Sequence, residues 1–492
     1  MVISVVVLVL YLALCIGIGI YANRAQRAGT AHDYLTGGSN VGFFVNGVAI
    51  FAAFATGGTM LGNMGLSYVG GWGYITAYNA GVAVGYLITA FFIAKVFRNM
   101  NVSTVPEFIR ERFNNKTLNI IVPLILIGTL TAYLVAQMKV GGLLGERLFN
   151  IPYTWSVVLI GAVYIFYTAY GGMKAVTLTD FLQGLIMIAV VLVTGVVAVT
   201  KGGGVGNLYS LAQEISPQWT QTTAYPHIAY IGGFLVWASV LAILPHTVMR
   251  IFSAKNERTG RASLTLGVGM YIITSIFTCI LVIALTIILN NGAALPDNDA
   301  AFLLFLDQAV PDIVKAIAYA GIFAAVMSSV SAMLLALGAA LAYDLIGTLK
   351  PDFSEEKKRK LVPLSIVGFG ILTLLLSMNP PELLTLLYSA AMGLLASSLF
   401  FPAILGIWWK RMNNAGALAG TLAGAISYLI LLWGFEMPPL SEIAVSLPTS
   451  LLFSILFSLM TAPPTKEQMR RITIAHEREY TAEDEKQGAE IG

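Results

Sequence analysis

The sequence predicts an all-α integral membrane protein with 13 transmembrane helices. Of its 492 residues, 57% are hydrophobic and only 11% are charged, and the mean hydropathy is +0.79. A soluble core cannot bury so much apolar surface. Apolar runs long enough to cross a bilayer recur along the chain. The predicted spans are 2–22, 43–69, 73–97, 118–144, 153–171, 176–200, 227–250, 263–289, 313–346, 361–378, 383–408, 414–434 and 444–462.

The distribution of basic residues predicts the orientation of these helices in the cell (inner or plasma) membrane. With the N-terminus outside and the C-terminus cytoplasmic, all Lys and Arg residues except Lys139, Arg147, Lys201 and Lys315 fall in inner loops or the tail. Inner loops of membrane proteins are enriched in these residues. An even number of spans would destroy the asymmetry, so the charge pattern supports an odd count.

Several classes of function are excluded by what the sequence lacks. Cys15 and Cys279 both lie in predicted spans and indicate neither a disulfide nor a metal site. No nucleotide-binding, hydrolase or zinc motif is present, so we expect no enzyme activity, no nucleic-acid partner and no obligate protein partner. The first span has no cleavage site of the signal-peptide kind. The connections are too short for a soluble domain, and 463–492 is predicted to be a cytoplasmic tail.

The helix count predicts two structural repeats of opposite orientation. If 1–22 is a peripheral helix and 414–462 holds two more, then 43–200 and 227–408 each contain five spans. Units with an odd number of spans enter the membrane from opposite sides, as in many secondary transporters. The first helix of each unit is then expected to be broken near the midplane. "TGGT" at 56–59 interrupts the first, and Gly232, Gly233, Ser239 and Pro245 interrupt the second; alternatively, these residues only allow close helix packing.

A serine cluster in the late span 313–346 indicates a cation site. Ala325, Ser328 and Ser329 share one helix face at i, i+3 and i+4, and Ser331 follows one turn later. Both this cluster and Ala52–Ala55 fall near the predicted midplane. Hard cations such as Na⁺ prefer oxygen ligands. The alternative is that the hydroxyls only bond to carbonyls of their own helix.

A few polar residues stand within or beside predicted spans. Asp180 lies about one turn inside a span, where an ionisable residue is usually functional, although it could simply face a helix N-terminus. Lys139 either extends to the interface or contacts substrate, and Gln137 either joins helices or contacts substrate. His246 and Arg250 are expected to be interfacial anchors at an inner helix end.

Four motifs together resemble the sodium:solute symporter family over about 1–462. They are "AAVMSSVSA", "YTAYGGMKAVTLTDFLQG", "LPHTVMRIF" and "GIWWKRMNNAGALAGTLAG". The resemblance implies a leucine-transporter-type 5+5 inverted-repeat core with one preceding and two following helices. It also implies Na⁺-coupled solute uptake by alternating access, with Na⁺ as the coupling ion.

The resemblance also implies ion ligands. The family's sodium site corresponds to carbonyls of Ala52, Ala55 and Ala325 and to hydroxyls of Ser328 and Ser329. Some members bind a second sodium ion with an aspartate that matches Asp180 and two hydroxyls of the late helix. Ser331 matches one of these hydroxyls, but Ala332 replaces the other. Asp180 is therefore a candidate either for a second ion or for an inner gate.

The substrate is expected to be a small carboxylate. "AYLVAQMKVGGLLGERLFNIPY" looks most like the acetate and monocarboxylate branch, whereas other segments look like the pantothenate and proline branches; all three substrates are carboxylates. A helix broken at Gly57 and Gly58 exposes amides at the positive end of a half-helix, which suits an anion. The predicted substrate contacts are Thr56, Gly57, Gly58, Thr59, Tyr78, Asn79, Gln137 and Trp237.

The sequence is therefore interpreted as a Na⁺-driven importer of an acetate-, pyruvate- or lactate-like monocarboxylate in contact with membrane lipid. A pantothenate or proline symporter is the alternative within the same family. A proton-coupled transporter, a channel, and a membrane sensor or scaffold are the alternatives from other classes.

Overall fold

A computed structural model describes residues 2–26, 40–102, 104–221, 224–350, 352–379, 384–481 and 483–484. Within these ranges, 11 helices are long and apolar enough to cross a membrane, and two shorter apolar helices lie at Val5–Tyr21 and Phe43–Phe54. The predicted helical membrane class is confirmed, whereas the count of 13 spans stays a prediction. The helices in chain order are α1 (Val2–Gln26), α2 (Phe43–Phe54), α3 (Gly58–Asn99), α4 (Val105–Phe113), α5 (Lys116–Phe149), α6 (Tyr153–Tyr170), α7 (Gly172–Lys201), α8 (Val205–Ile215), α9 (Pro217–Thr220), α10 (His227–Val240), α11 (Pro245–Ser253), α12 (Glu257–Leu289), α13 (Ala301–Ala309), α14 (Asp312–Leu349), α15 (Glu355–Leu376), α16 (Leu384–Trp408), α17 (Asn414–Gly434), α18 (Ile443–Met460) and α19 (Lys466–Glu477).

Two glycines with positive φ mark corners between consecutive spans. Gly71 (φ +78°) separates the predicted spans 43–69 and 73–97 within α3, and Gly172 (φ +58°) stands where α6 meets α7. Only glycine adopts such a conformation without strain. The chain therefore changes direction there with a loop of minimal length.

The first core helix is interrupted between α2 and α3. α2 ends at Phe54, Ala55 has a non-helical ψ of 74°, and a new half-helix starts after Thr56. The prediction of a break at Gly57 and Gly58 is wrong by two residues, since Gly57 itself has helical φ and ψ of −55° and −36°.

Close packing explains why glycines follow this break. A Cβ atom on Gly57 would lie 2.6 Å from Cγ2 of Val326, and one on Gly58 would lie 3.0 Å from Cε1 of Tyr388. The half-helix therefore needs glycine here for space rather than for an unusual dihedral angle.

The second interrupted helix consists of α10 and α11. The helix stops at Val240, residues 241–243 form turns, Leu244 is extended, and Pro245 begins the next half. Proline suits the first position of a helix because its missing N–H has no helical partner there. Gly232 has another role: a Cβ on it would lie 2.1 Å from the Leu440 carbonyl oxygen, so it permits close helix packing.

α14 forms the centre of the molecule. Its most apolar stretch is completely buried, and it packs against α1, α2, α5, α7 and α15. The serine cluster of this helix therefore faces protein on every side. Buried hydroxyls in such surroundings need partners inside the fold.

Several helices lie in predicted connections. α4, α8, α9 and α13 are not among the predicted spans, and α19 starts the predicted tail with a capping box between Thr465 and Gln468. On the predicted inner side, the Val41 amide donates to the Ser253 carbonyl at 3.1 Å, and the Lys255 amide donates to the Val41 carbonyl at 3.1 Å. These bonds hold the start of α2 beside the end of α11. Tail residues 485–492 lie outside the described residues.

Candidate functional site

A cluster of oxygen atoms joins α14 to the end of α2. Oγ of Ser328 lies 2.7 Å from the Ala52 carbonyl oxygen and 3.0 Å from that of Ala325. Oγ of Ser329 lies 3.3 Å from the Ala53 carbonyl oxygen and 3.0 Å from that of Ala325. All five residues are buried. These uncharged oxygens are the kind of ligands that a hard cation takes.

The structure adds Ala53 to the predicted set, and it does not link Ala55 to it. The Ala55 amide donates to the Phe51 carbonyl, but its own carbonyl accepts no cross-helix bond from α14 within the described ranges. Ser331 bonds within α14, where its hydroxyl donates to the Ser328 carbonyl at 2.9 Å. Bonding to a carbonyl of the same helix was the alternative to cation binding for the whole cluster, and the Ser331 hydroxyl makes such a bond.

The amides of Gly57 and Gly58 lie unpaired at the start of the half-helix. Thr56 caps this half-helix, because its Oγ accepts from the Thr59 amide at 3.2 Å, and the Thr59 hydroxyl donates to the Phe54 carbonyl at 3.4 Å. Neither glycine amide donates to another residue that the structure describes. The first amides of a helix have no partner in the helix itself and carry its positive partial charge.

Aromatic rings surround this point. The Trp237 ring lies 5.4 Å from Phe54 and 5.3 Å from Tyr78, measured between centroids. Tyr388 stacks on Tyr133 at 5.2 Å, and its hydroxyl lies 3.2 Å from that of Tyr78. Sequence considerations did not single out Phe54, Tyr133 or Tyr388, because each stands in an ordinary apolar run. The rings form an uncharged wall beside the two free amides.

Two predicted contact residues have polar atoms without a partner. Gln137 is fully buried, and neither Nε2 nor Oε1 bonds to another described residue; Nε1 of Trp237 is likewise unpaired. Oε1 of Gln137 would lie 3.2 Å from a Cβ on Gly57, so this amide is next to the break. Buried polar atoms normally have partners, and each exception calls for an explanation. A bound polar solute would supply one.

Asn79 differs from these residues because both ends of its amide are occupied. Its Nδ2 donates to the Ser275 hydroxyl at 2.6 Å, and its Oδ1 accepts from the Tyr271 hydroxyl at 2.6 Å. Asn63 extends the same network, since it bonds to both Tyr271 and Tyr388. The contacts of Asn79 therefore join α3 to α12.

Asp180 is paired with Arg250 inside the protein. Both side chains are completely buried and form an ion pair, and Nη1 of Arg250 also donates to the Thr177 hydroxyl at 2.6 Å. The Arg250 carbonyl accepts from Asn46 of α2 at 3.0 Å. Within the described ranges no hydrogen bond joins Asp180 to Ser331, and Oδ1 of Asp180 has no partner.

The expected interfacial position of His246 and Arg250 is wrong. They are 1% and 0% exposed, respectively, because α11 packs between other helices of the bundle. They were expected at a membrane surface because they fall at the inner end of the predicted span 227–250. The break at 241–244 and the packing of α11 instead put both side chains inside.

A cavity of about 450 Å³ lies on the predicted outer side of these groups. It is lined by residues of α3, α5 and α13 and of the segments that follow α5 and precede α13. Its lining residues are Leu61, Leu143, Leu144, Glu146, Arg147, Asn150, Asp297, Asp299, Ala300 and Leu303.

The arrangement of broken helices, clustered buried oxygens and free amides is that of a secondary transporter. Discontinuous helices near the midplane bind ions through carbonyls and anions through amides in this class. The chain belongs to the sodium:solute symporter family, whose model matches residues 34–424. It is thus a Na⁺-coupled solute symporter of the membrane and not an enzyme.

The comparisons with known proteins agree in family and fold. The chain is 29% identical over 468 residues to the "Osmoregulated proline transporter OpuE" of Bacillus subtilis, covering 92% of this chain and 94% of that protein. It is 28% identical over 440 residues to the "Sodium/pantothenate symporter" of Escherichia coli, covering 86% and 89%. A sodium/proline symporter of Staphylococcus aureus is 26% identical over 461 residues, covering 89% and 87%.

Solved structures show the same fold at lower identity. A Na⁺-coupled sialic acid symporter in a substrate-bound outward-open state superposes with a TM-score of 0.80 at 23% identity, covering 94% of this chain and 99% of that one. MhsT in complex with L-phenylalanine gives a TM-score of 0.56 at 13% identity, covering 85% and 99%. The predicted leucine-transporter-type fold is confirmed.

Proposed function

We propose that this symporter imports a small monocarboxylate, of the size of acetate, pyruvate or lactate, together with Na⁺. The observation that carries the proposal is a set of unpaired N–H donors on buried residues around the break in the first core helix. These donors are the amides of Gly57 and Gly58, Nε2 of Gln137 and Nε1 of Trp237. A carboxylate accepts several such hydrogen bonds at once, and bonds to a charged group are the stronger kind.

The relatives favour carboxylates as a class without identifying one. Proline and pantothenate, the solutes in the names of two relatives of this chain, both carry a carboxylate. Proline also carries a charged amine, which would need an acceptor such as Oε1 of Gln137. A pantothenate or proline symporter is therefore the second candidate.

In the proposed sodium site, the ligands are the carbonyls of Ala52, Ala53 and Ala325 and the hydroxyls of Ser328 and Ser329. The resemblance to the family adds the Ala55 carbonyl. A cation there attracts both α2 and α14 and so holds the end of α2 in place. Coupling requires that the ion favour the conformation that binds substrate, since equal affinity for both conformations shifts no equilibrium.

In the proposed inner gate, Asp180 and Arg250 close the route to the cytoplasm. Arg250 belongs to the inner half of the second broken helix, and its backbone also bonds to Asn46 at the start of the first. Moving α11 away would separate the ion pair. This assignment supposes the N-terminus outside, and the unpaired Oδ1 of Asp180 also keeps it a candidate for a second ion.

The test is uptake into proteoliposomes with an inward Na⁺ gradient. The solutes are acetate, pyruvate, lactate, pantothenate and proline, each measured for uptake and as a competitor of the others. We expect monocarboxylates to compete and their neutral amides not to. Competition by proline alone or pantothenate alone would favour the second candidate. Persistent counterflow without Na⁺ would contradict sodium coupling.

Charge movement reports the stoichiometry in the same vesicles. A tenfold sodium gradient supplies about 1.4 kcal/mol, and an inward charge gains about 2.3 kcal/mol per 100 mV. One monoanion and one Na⁺ together carry no net charge, so the membrane potential then has no effect on their uptake. A current during uptake would indicate a second ion.

A further inference from the structure

The tail helix α19 lies against the body of the protein on the predicted inner side. Ile472 and Ala475 on one of its faces are 1% and 0% exposed, respectively. The helix packs on α4 and on the last turn of α3, where Nδ2 of Asn99 donates to the Ala475 carbonyl at 3.0 Å. A tail that hung free in the cytoplasm would leave these apolar side chains in water. This part of the tail is therefore docked.

The tail caps the inner end of α3. Nη2 and Nε of Arg471 donate to the Met100 carbonyl at 2.9 and 3.3 Å. The Tyr480 amide donates to the Asn99 carbonyl at 2.7 Å. The last carbonyls of a helix have no partner within it and carry negative partial charge, so donors from another segment stabilise them. Nη1 of Arg471 also pairs with Glu111 at 2.5 Å, which joins this end of α3 to α4.

The inner end of α16 is capped in a similar way. Nε2 of His476 lies 2.9 Å from the Ile407 carbonyl oxygen, and the His476 ring lies 5.0 Å from that of Trp408, measured between centroids. Nε of Arg112 in α4 donates to the Gly406 carbonyl at 2.7 Å. The last turn of α16 is therefore held by α19 and α4 together.

A third contact reaches the second broken helix. Arg98 at the end of α3 pairs with Glu479 of the tail at 3.0 Å, and its Nε donates to the Ala254 carbonyl, directly after α11, at 3.2 Å. Two of the three connected helices also meet at the first break, where the hydroxyls of Tyr78 in α3 and Tyr388 in α16 lie 3.2 Å apart. The tail therefore joins, on the inner side, helices that surround the proposed substrate site.

We propose that α19 is a strap that restrains the opening of the inner side, so that the tail sets how readily the transporter faces the cytoplasm. Alternating access moves one group of helices against the rest. The inner ends of α3, α11 and α16 cannot separate while the tail holds all three. Its ion pairs to the body are partly exposed and such pairs are weak, so the strap slows the opening without preventing it. The inference supposes a cytoplasmic C-terminus and does not depend on the proposed substrate.

Removing the charge from either side of one tail contact tests the strap. Arg471→Gln and Glu111→Gln both break the ion pair between α19 and α4. Each should make the inner side open about two- to fivefold more readily, as for a partly exposed pair. Arg470→Gln is the matched control, because among the described residues this arginine bonds only to the Asp484 carbonyl within the tail.

Two single cysteines, added one at a time, report the opening without any solute. Ser253 is completely buried beside the Ala254 contact at the inner end of α11, and Ser253→Cys reports on the inner side. Thr286 is equally buried near the outer end of α12, and Thr286→Cys reports on the outer side. The measurement is the rate of labelling by a membrane-permeant maleimide. The chain without an added cysteine gives the background from the two natural cysteines, which are buried.

The labelling rates separate a strap from a merely structural tail. We expect faster labelling of Ser253→Cys with Arg471→Gln and with Glu111→Gln, but not with Arg470→Gln. Equal rates with all three would overturn the strap. Faster labelling of Thr286→Cys by the same factor would also overturn it, since the whole bundle would then be loosened rather than its inner side.

A cross-link between the tail and α3 should have the opposite effect. Arg98→Cys with Glu479→Cys replaces the other ion pair by two thiols, which a bismaleimide with a cleavable disulfide can join. We expect Na⁺-driven uptake to be lost in the linked protein and to return when the linker is cleaved. Undiminished uptake in the linked protein would count against the strap. If the wild type takes up none of the five test solutes, the proposed function is wrong, and the labelling rates still decide on the strap.

Discussion

Replacing Ser328 and Ser329 with alanine should remove sodium coupling. The two hydroxyls are the only side-chain oxygens in the cluster between α2 and α14; the other three atoms are carbonyls of Ala52, Ala53 and Ala325. An alanine leaves those carbonyls in place but removes one ligand from the cation. The sodium affinity should therefore fall without a change in the substrate contacts.

The geometry gives the expected size of this effect. A polar contact to a charged group contributes about 1.5–3 kcal/mol, which corresponds to a loss of about 10- to 150-fold in affinity per hydroxyl. Ser328 should give the larger loss, because its Oγ lies 2.7 Å from the α2 carbonyl, against 3.3 Å for Ser329. The double variant should show no stimulation by Na⁺.

The assay is initial uptake into proteoliposomes at increasing external Na⁺ for each single variant and the double variant. Ser398→Ala is the matched control, because this serine is equally buried but, among the described residues, its Oγ bonds only to the Leu394 carbonyl of its own helix at 2.6 Å. Thermal unfolding without Na⁺ reports the stability of the fold. Each lost hydrogen bond should lower the free energy of unfolding by only about 1 kcal/mol.

Undiminished Na⁺ dependence in the double variant would refute the site. So would an equal loss in Ser398→Ala, since the effect would then follow from helix packing rather than ion binding. If Ser329→Ala lost clearly more sodium affinity than Ser328→Ala, the ranking of the two hydroxyls by distance would be wrong.

Three further variants test the gate, the donor set and the break. Asp180→Asn leaves the buried Arg250 without a counter-charge, so we expect at least tenfold slower transport and greater reactivity of an inner-side cysteine label; normal kinetics would count against the gate. Trp237→Phe keeps an aromatic ring but removes the unpaired Nε1 donor, which should raise the KM for a monocarboxylate about tenfold. Gly57→Ala should abolish uptake because its Cβ would lie 2.6 Å from a valine methyl of α14, whereas Gly269→Ala, with nothing within 4 Å, should behave as wild type.

The sequence was informative where composition and local chemistry decide the structure. Apolar runs predicted the membrane helices, and the glycines, threonines and Pro245 indicated two interrupted helices. The first break was predicted two residues after its observed position, because Ala55 carries no helix-breaking signal of its own. There the backbone conformation follows from packing and from the Thr56 cap, which a one-dimensional pattern does not contain.

Partners distant in sequence were beyond such a prediction. Asp180 was recognised as exceptional, but its partner Arg250 is 70 residues away and was expected at the membrane surface. Tyr388 bonds to Tyr78 and contacts the Gly58 position, although it looks like any aromatic residue in an apolar helix. Only the three-dimensional packing shows which rings lie around the break.

The short distance along the chain between the two proposed sites offers a physical reason for coupling. Ala52 and Ala53 belong to the last turn of α2, where carbonyls carry negative partial charge, and Gly57 and Gly58 to the first turn of the next half-helix, where amides carry positive partial charge. A cation at the first end and an anion at the second each favour the same arrangement of the break. Loss of either ligand leaves one set of backbone groups unsatisfied, so the conformation that suits Na⁺ is also the one that suits a carboxylate.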